Sequence, residues 1–124
     1  MVDFIVDVLG PADDSLGFFF VQVKATSASH PASRCLRLQI DRAKYNKLVR
    51  IPVPTFLIGV ETNSERSFVV AAVRPKGRSL SSISKRFDLA DDEVRIGLYK
   101  EVIGFWRKNR PNLDKAQTRF SDGH

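Results

Sequence analysis

Gly17-Phe18-Phe19-Phe20-Val21-Gln22-Val23-Lys24-Ala25 is a β-rich run of aromatic and β-branched residues. Side chains of a strand alternate between faces, so Phe18, Phe20, Gln22 and Lys24 share one side. Upstream, residues 3 to 9 also alternate in the strand manner, and Asp3-Phe4-Ile5-Val6-Asp7 puts Asp3, Ile5 and Asp7 on a common face. Gly10-Pro11-Ala12-Asp13-Asp14-Ser15-Leu16, between the two runs, is rich in turn formers. The reading is a β-hairpin. A register that pairs Asp3 with Lys24 brings Gln22 opposite Ile5, and gathers a carboxylate, an amide oxygen and an ammonium at one sheet edge.

Outward from the hairpin, a polar loop from Ser27 to Ser33 leads to a short strand, Cys35 to Ile40. Asp41 is the expected N-cap of a brief amphipathic helix carrying Tyr45, Leu48 and Val49, which must end by Ile51 because Pro52 and Pro54 forbid continuation. Thr55-Phe56-Leu57-Ile58-Gly59-Val60-Glu61 then reads as a buried strand, hairpinned through Asn63-Ser64-Glu65 to Ser67–Val73. Near-continuous apolar runs of this kind predict a sheet covered on both faces. Arg74 to Ser84 reads as a loop with a short helical piece around Leu80 and Ile83. A long helix follows, with Asp88 as its cap and Asp91, Asp92 and Glu93 at its positive end. Val94, Leu98, Val102 and Phe105 form its apolar stripe, flanked by Tyr99 and Trp106 as packing residues, until Pro111 stops the pattern.

The length of 124 residues and 43% hydrophobic content fit one domain, expected over 1–110, with a basic polar tail over 111–124. Lys plus Arg number 20 against 14 Asp plus Glu, a net charge of +6 that favours an anionic partner, nucleic acid first. Residues 1–73 hold 8 basic and 7 acidic side chains, whereas 74–124 hold 12 and 7. The nucleic-acid contacts are therefore expected from Arg74, Lys76, Arg78, Lys85, Arg86, Arg107, Lys108 and Arg110, the competing reading of each being a solvated surface charge. A lone Cys35 excludes an internal disulfide and a Cys-rich zinc cluster, and suits a reducing cytoplasm. The N-terminus lacks a basic region ahead of its apolar residues, and no segment approaches the ~18 apolar residues of a membrane span. His30 is the only internal imidazole and no Gly-x-Ser-x-Gly or glycine-rich phosphate loop occurs, so Ser-His-Asp chemistry has no foundation.

Metal-dependent phosphodiester cleavage has the ingredients the hairpin offers. Mg²⁺ prefers oxygen ligands, for which Asp3, the Gln22 side-chain carbonyl and the main-chain oxygen of Val23 are the candidates. Lys24 is placed to orient or deprotonate a water and to stabilise developing charge. Asp7 is either a supporting acid behind these ligands or an exposed strand residue, and Asp3 with Lys24 is equally the composition of one cross-strand salt bridge on a wet hairpin face.

Asp3-Phe4-Ile5-Val6-Asp7, Phe19-Phe20-Val21-Gln22-Val23-Lys24-Ala25-Thr26-Ser27 and Ile51-Pro52-Val53-Pro54-Thr55-Phe56-Leu57-Ile58-Gly59-Val60 together resemble a bacterial family of uncharacterised domains in the PD-(D/E)xK, or restriction-endonuclease-like, nuclease superfamily. The likeness spans residues 3 to about 73. It implies an α/β restriction-endonuclease-like core, a mixed central sheet of about five strands flanked by helices, and Mg²⁺- or Mn²⁺-dependent nuclease ancestry. Asp3 matches the metal-binding acid, Gln22 stands in the position of the second acid, and Lys24 matches the catalytic lysine. Family members carry a helix, often with a glutamate, and a strand ahead of the acid. Met1 leaves no room for them, so the first helix and strand are expected to be missing and an exposed sheet edge to be open to a second copy of the chain. The functions this predicts are a metal-dependent nuclease acting on DNA, an inactive nuclease-derived module that binds nucleic acid or protein, or a purely structural homodimer.

Overall fold

A computed structural model of the chain describes residues 3–27, 30, 32–73 and 80–109. Arg74, Lys76, Arg78, Arg110 and the tail expected over 111–124 lie outside these residues. The architecture is mixed α/β, built on a central mixed sheet of four strands, a second sheet of two strands, and two helices.

The expected hairpin forms from β1 (Phe4–Leu9) and β2 (Ser15–Thr26), paired antiparallel with Phe4 opposite Val21, Ile5 opposite Phe20 and Asp7 opposite Phe18. Its register differs by two residues from the one expected. Ser15 and Leu16 belong to β2 rather than to the connection, which tightens to a turn closed by Gly10 N–H to Asp14 O at 2.7 Å and Asp13 N–H to Gly10 O at 3.0 Å. Asp13 takes the left-handed conformation there, at φ 59°. A shift of two residues moves each partner along the ladder and leaves every side chain on its predicted face, because the period of a strand is two.

The chain next forms β3 (Cys35–Ile40) and α1 (Arg42–Val49), then returns as β4 (Thr55–Glu61), parallel to β2, and turns back as β5 (Arg66–Ala71). Among the described residues the central order is β1-β2-β4-β5, four strands where about five were expected. Asp41 precedes α1 without a side-chain capping hydrogen bond. The serine-rich segment holds a strand, β6 (Leu80–Ser84), which pairs antiparallel with β3 in place of the expected helical piece. Long-range pairing overrides the helical three-residue spacing of Leu80 and Ile83. The last helix, α2 (Asp92–Asn109), begins four residues after its expected cap. Asp91 Oδ1 accepts the Glu93 N–H at 2.9 Å, whereas Asp88 accepts from Ala90 N–H and pairs with Arg66 at 3.1 Å.

The central sheet is covered on both sides, as its apolar runs predict. One face packs Val8, Phe19, Val21, Phe56 and Val69 against Val102 and Trp106 of α2. The other packs Leu57 and Phe68 under Leu36, Leu38, Ile40, Tyr45 and Ile83 from β3, α1 and β6. Burying a side chain such as Phe68 fully is worth about 1.5–3 kcal/mol. Trp106 completes the first layer, with its ring 4.6 Å from that of Phe18 and its Nε1–H donated to Phe18 O at 2.7 Å.

Two glycines make these approaches possible. Gly17 lies at φ 150°, next to the register shift of the hairpin, and a Cβ there would strike the Trp106 indole. At Gly59 a Cβ would meet Leu36 Cδ2 at 2.5 Å and Ile83 Cδ1 at 2.8 Å, so the two-stranded sheet rests directly on the backbone of β4.

Candidate functional site

Asp3 continues the β1 ladder by one residue, its N–H donating to Val21 O at 3.0 Å. Its carboxylate then takes over from the main chain. Oδ2 accepts the Val23 N–H at 2.8 Å and the Gln22 Nε2–H at 3.0 Å, satisfying the next donor of β2. The structure thus brings Asp3, Gln22 and Val23 together, with the acid beside Gln22 rather than opposite Lys24 as the expected register had it. A strand residue directs its N–H and C=O to the same side, so the Val23 carbonyl shares the edge on which Asp3 sits. Oδ1 of Asp3 accepts no hydrogen bond from the described residues.

Lys24 lies on the same sheet face as Gln22, about 7 Å further along β2. It is half-buried and makes no ion pair with a described residue, so the cross-strand salt bridge does not form with Asp3. Together with Thr26, Arg37, Gln39 and Ser81 it lines a cleft of about 510 Å³ between the end of β2 and the β3–β6 sheet. Asp7 is exposed opposite Phe18, about 14 Å along β1 from Asp3, and does not support the site acid.

Oxygen chemistry at Asp3 fits a hydrated Mg²⁺. Such an ion keeps several waters and commonly takes one or two carboxylates plus substrate phosphate oxygens. Oδ1 of Asp3 and the carbonyl of Val23 are the protein oxygens here, while the Gln22 amide is turned with its nitrogen toward Asp3. No group of three or more His, Cys, Asp or Glu side chains suited to a metal occurs among the described residues.

Among the described residues, the basic side chains expected to grip nucleic acid, Lys85, Arg86, Arg107 and Lys108, do not form one surface with this site. Lys85 is withdrawn from the set: its side chain is 7% exposed and its Nζ lies 2.7 Å from Glu61 Oε2, whose side chain is 1% exposed. It also donates to His30 O at 3.1 Å, while Ser64 Oγ–H donates to Glu61 Oε1 at 2.5 Å. Arg86 is exposed beside Phe87, 5.0 Å from its ring. Arg107 and Lys108 are exposed in the last turn of α2, which covers the opposite face of the sheet and ends where Trp106 packs on Gly17. Seven residue steps along β2 separate Gly17 from Lys24, roughly 23 Å at strand rise.

Sequence reading did not include Arg37. Alternation in Cys35-Leu36-Arg37-Leu38-Gln39-Ile40 predicts that Arg37 and Gln39 turn away from the core, and they are exposed. Nothing in the sequence places β3 beside the end of β2.

Among the described residues no helix is long and apolar enough to cross a membrane. No protein-family model, curated protein or solved structure matches the chain.

Proposed function

We propose that this chain is a nuclease-like domain of PD-(D/E)xK type, acting on phosphodiester bonds of DNA with Mg²⁺ or Mn²⁺. The observation that carries the reading is the shared face of Asp3, Gln22 and Lys24: among the described residues, a carboxylate with one unengaged oxygen and an ammonium with no ion pair a short way along the same strand as Gln22. In this reading Asp3 Oδ1 and the Val23 carbonyl would hold the cation, and Gln22 fixes the Asp3 rotamer through its amide. The bound ion would supply Lewis-acid polarisation of the phosphate and a more acidic water. Lys24 faces the cleft, orients the attacking water and offsets charge on the phosphate oxygens.

The test is nicking of supercoiled plasmid by the purified chain. Cleavage that requires Mg²⁺ or Mn²⁺, stops with chelator and is lost in Lys24→Ala supports the reading. Absence of cleavage, or equal cleavage by the variant, removes it.

A second reading, an inactive nuclease-derived module that binds nucleic acid, is favoured by one observation: Asp3 Oδ2 is already engaged by two N–H donors. It predicts metal-independent DNA association with steep salt dependence and no nicking. The outer position of β1, with Phe4 58% and Ile5 66% exposed, is the edge at which a second copy of the chain would pair in the homodimer expectation. Sedimentation at micromolar concentration tests it, and a concentration-independent monomer would refute it.

A further inference from the structure

The geometry points to Arg37 as a second phosphate-binding cation, set with Lys24 in the cleft between β2 and the β3–β6 sheet, where it takes a backbone phosphate of nucleic acid. This inference rests on the nucleic-acid reading above and extends it to a residue from a different sheet.

The cleft is built by packing rather than by chance exposure. Lys24 lies opposite Gly59 in the β2–β4 ladder. Because Gly59 has no side chain, Leu36 and Ile83 descend onto β4, which brings their strands down beside Lys24. Arg37 follows Leu36, and Ser81 and Ser82 precede Ile83, with Ser82 opposite Arg37 in the β3–β6 ladder. The result is a cleft of about 510 Å³ walled by Lys24 and Arg37, with Gln39 and Ser81 as neutral hydrogen-bonding groups.

Among the described residues no carboxylate lines it. Neither Lys24 nor Arg37 forms an ion pair with any described residue, although the described acids include two that do pair with cations on neighbouring surfaces, Glu61 and Asp88. Two cations sharing a cleft without an acid repel one another, and an anion bound between them relieves that cost. Arginine presents a planar fork of donors suited to two phosphate oxygens, while lysine acts as a point charge. A phosphodiester chain supplies one negative charge per nucleotide, so a strand whose scissile phosphate lies near Asp3 and Lys24 offers a neighbouring phosphate to Arg37.

The experiment measures binding of a labelled DNA oligonucleotide to the full chain by fluorescence anisotropy, in chelator so that no cleavage intervenes, over a series of salt concentrations. Arg37→Ala is expected to weaken binding about 3–10-fold near 0.1 M salt and to reduce the slope of log affinity against log salt by about one, with Arg37→Glu worse and Arg37→Lys retaining the slope. Lys100→Ala, exposed on α2, serves as the comparison and is expected within twofold of wild type with an unchanged slope. Equal binding and slope in wild type, Arg37→Ala and Arg37→Glu would overturn the inference while leaving plasmid nicking to judge the nuclease reading separately. Loss of nicking with a preserved Arg37 effect on binding would sink catalysis and keep this site. Inorganic phosphate and polyglutamate are the competing anions. Polyglutamate displacing DNA as well as an equal length of unlabelled DNA would overturn the assignment in favour of an acidic-peptide site, as would inorganic phosphate competing at micromolar concentration in favour of a small-anion site.

Discussion

Glu61 and Lys85 close one end of β4, while Asp3 and Lys24 occupy the neighbouring edge formed by β1 and β2; both are a carboxylate and a lysine, and the sheet treats them oppositely. Glu61 lies opposite Thr26 in the β2–β4 ladder, only two positions beyond the pairing of Lys24 with Gly59. The first pair is sealed beneath β3 and β6 and has its charges matched at 2.7 Å. In the second, the acid is held by amides and the lysine faces an open cleft. Removing charges from water costs several kcal/mol per ion unless they are paired, so the buried arrangement must be saturated and is unfit to bind a substrate. An exposed arrangement carries little stability and remains available for chemistry. Lys85, one of the basic residues that the sequence assigned to nucleic acid, is thus held in a buried pair, and Lys24, which forms no ion pair with a described residue, is the candidate for function.

The largest expected effect comes from breaking the sealed pair. Lys85→Met leaves Glu61 buried without its counter-charge and is expected to cost about 3–5 kcal/mol, read as a fall in the urea midpoint. The double variant Glu61→Met Lys85→Met is expected to recover most of that loss, since a well-packed apolar replacement of a buried pair is often neutral or stabilising. A double variant no better than the single one would show that Lys85 acts through packing alone.

Next in size is the contact that places β3 and β6 over the sheet. Gly59→Ala puts a methyl 2.5 Å from Leu36 Cδ2 and is expected to destabilise by about 1–3 kcal/mol. Because the same contact positions Arg37 beside Lys24, DNA affinity is expected to fall as well, measured under conditions where the variant remains folded. An unchanged midpoint would mean that the two-stranded sheet shifts freely on β4.

At the open edge the expected stability effects are small. Asp3→Ala frees the Val23 N–H to water and should cost about 1 kcal/mol or less, whereas Asp3→Asn keeps an acceptor and should lie within about 0.5 kcal/mol of wild type. Chemical denaturation of the two variants distinguishes these. A loss of several kcal/mol in Asp3→Asn would place Asp3 with the structural acids.

Much of this contrast was legible in the sequence where it depended on local pattern. The apolar run Thr55–Glu61 marks β4 and the alternation in Cys35–Ile40 marks β3, because both are short, strongly patterned strands. The faces of Asp3, Gln22 and Lys24 were correct since the hairpin slipped by an even number of residues, but the ladder position was not, because Ser15 and Leu16 look like turn residues until Gly17 meets Trp106. The Glu61–Lys85 pair joins residues 24 apart through a strand whose own sequence, Leu80-Ser81-Ser82-Ile83-Ser84, has no strong β signal. One clue was present: Glu61 falls on the parity of Leu57 and Gly59, the side that alternation sends to the core. A charge there needs a partner, and only the fold supplies it.

The most direct test compares Mg²⁺-dependent plasmid nicking by Lys24→Met with that by wild type, at equal folded fraction set by the urea curves of both proteins. The expected result is an unfolding free energy within about 0.5 kcal/mol of wild type, since Lys24 makes no ion pair with a described residue, with nicking reduced at least 100-fold. Undiminished nicking, or a stability loss as large as that of Lys85→Met, would contradict the assignment of chemistry to the open edge.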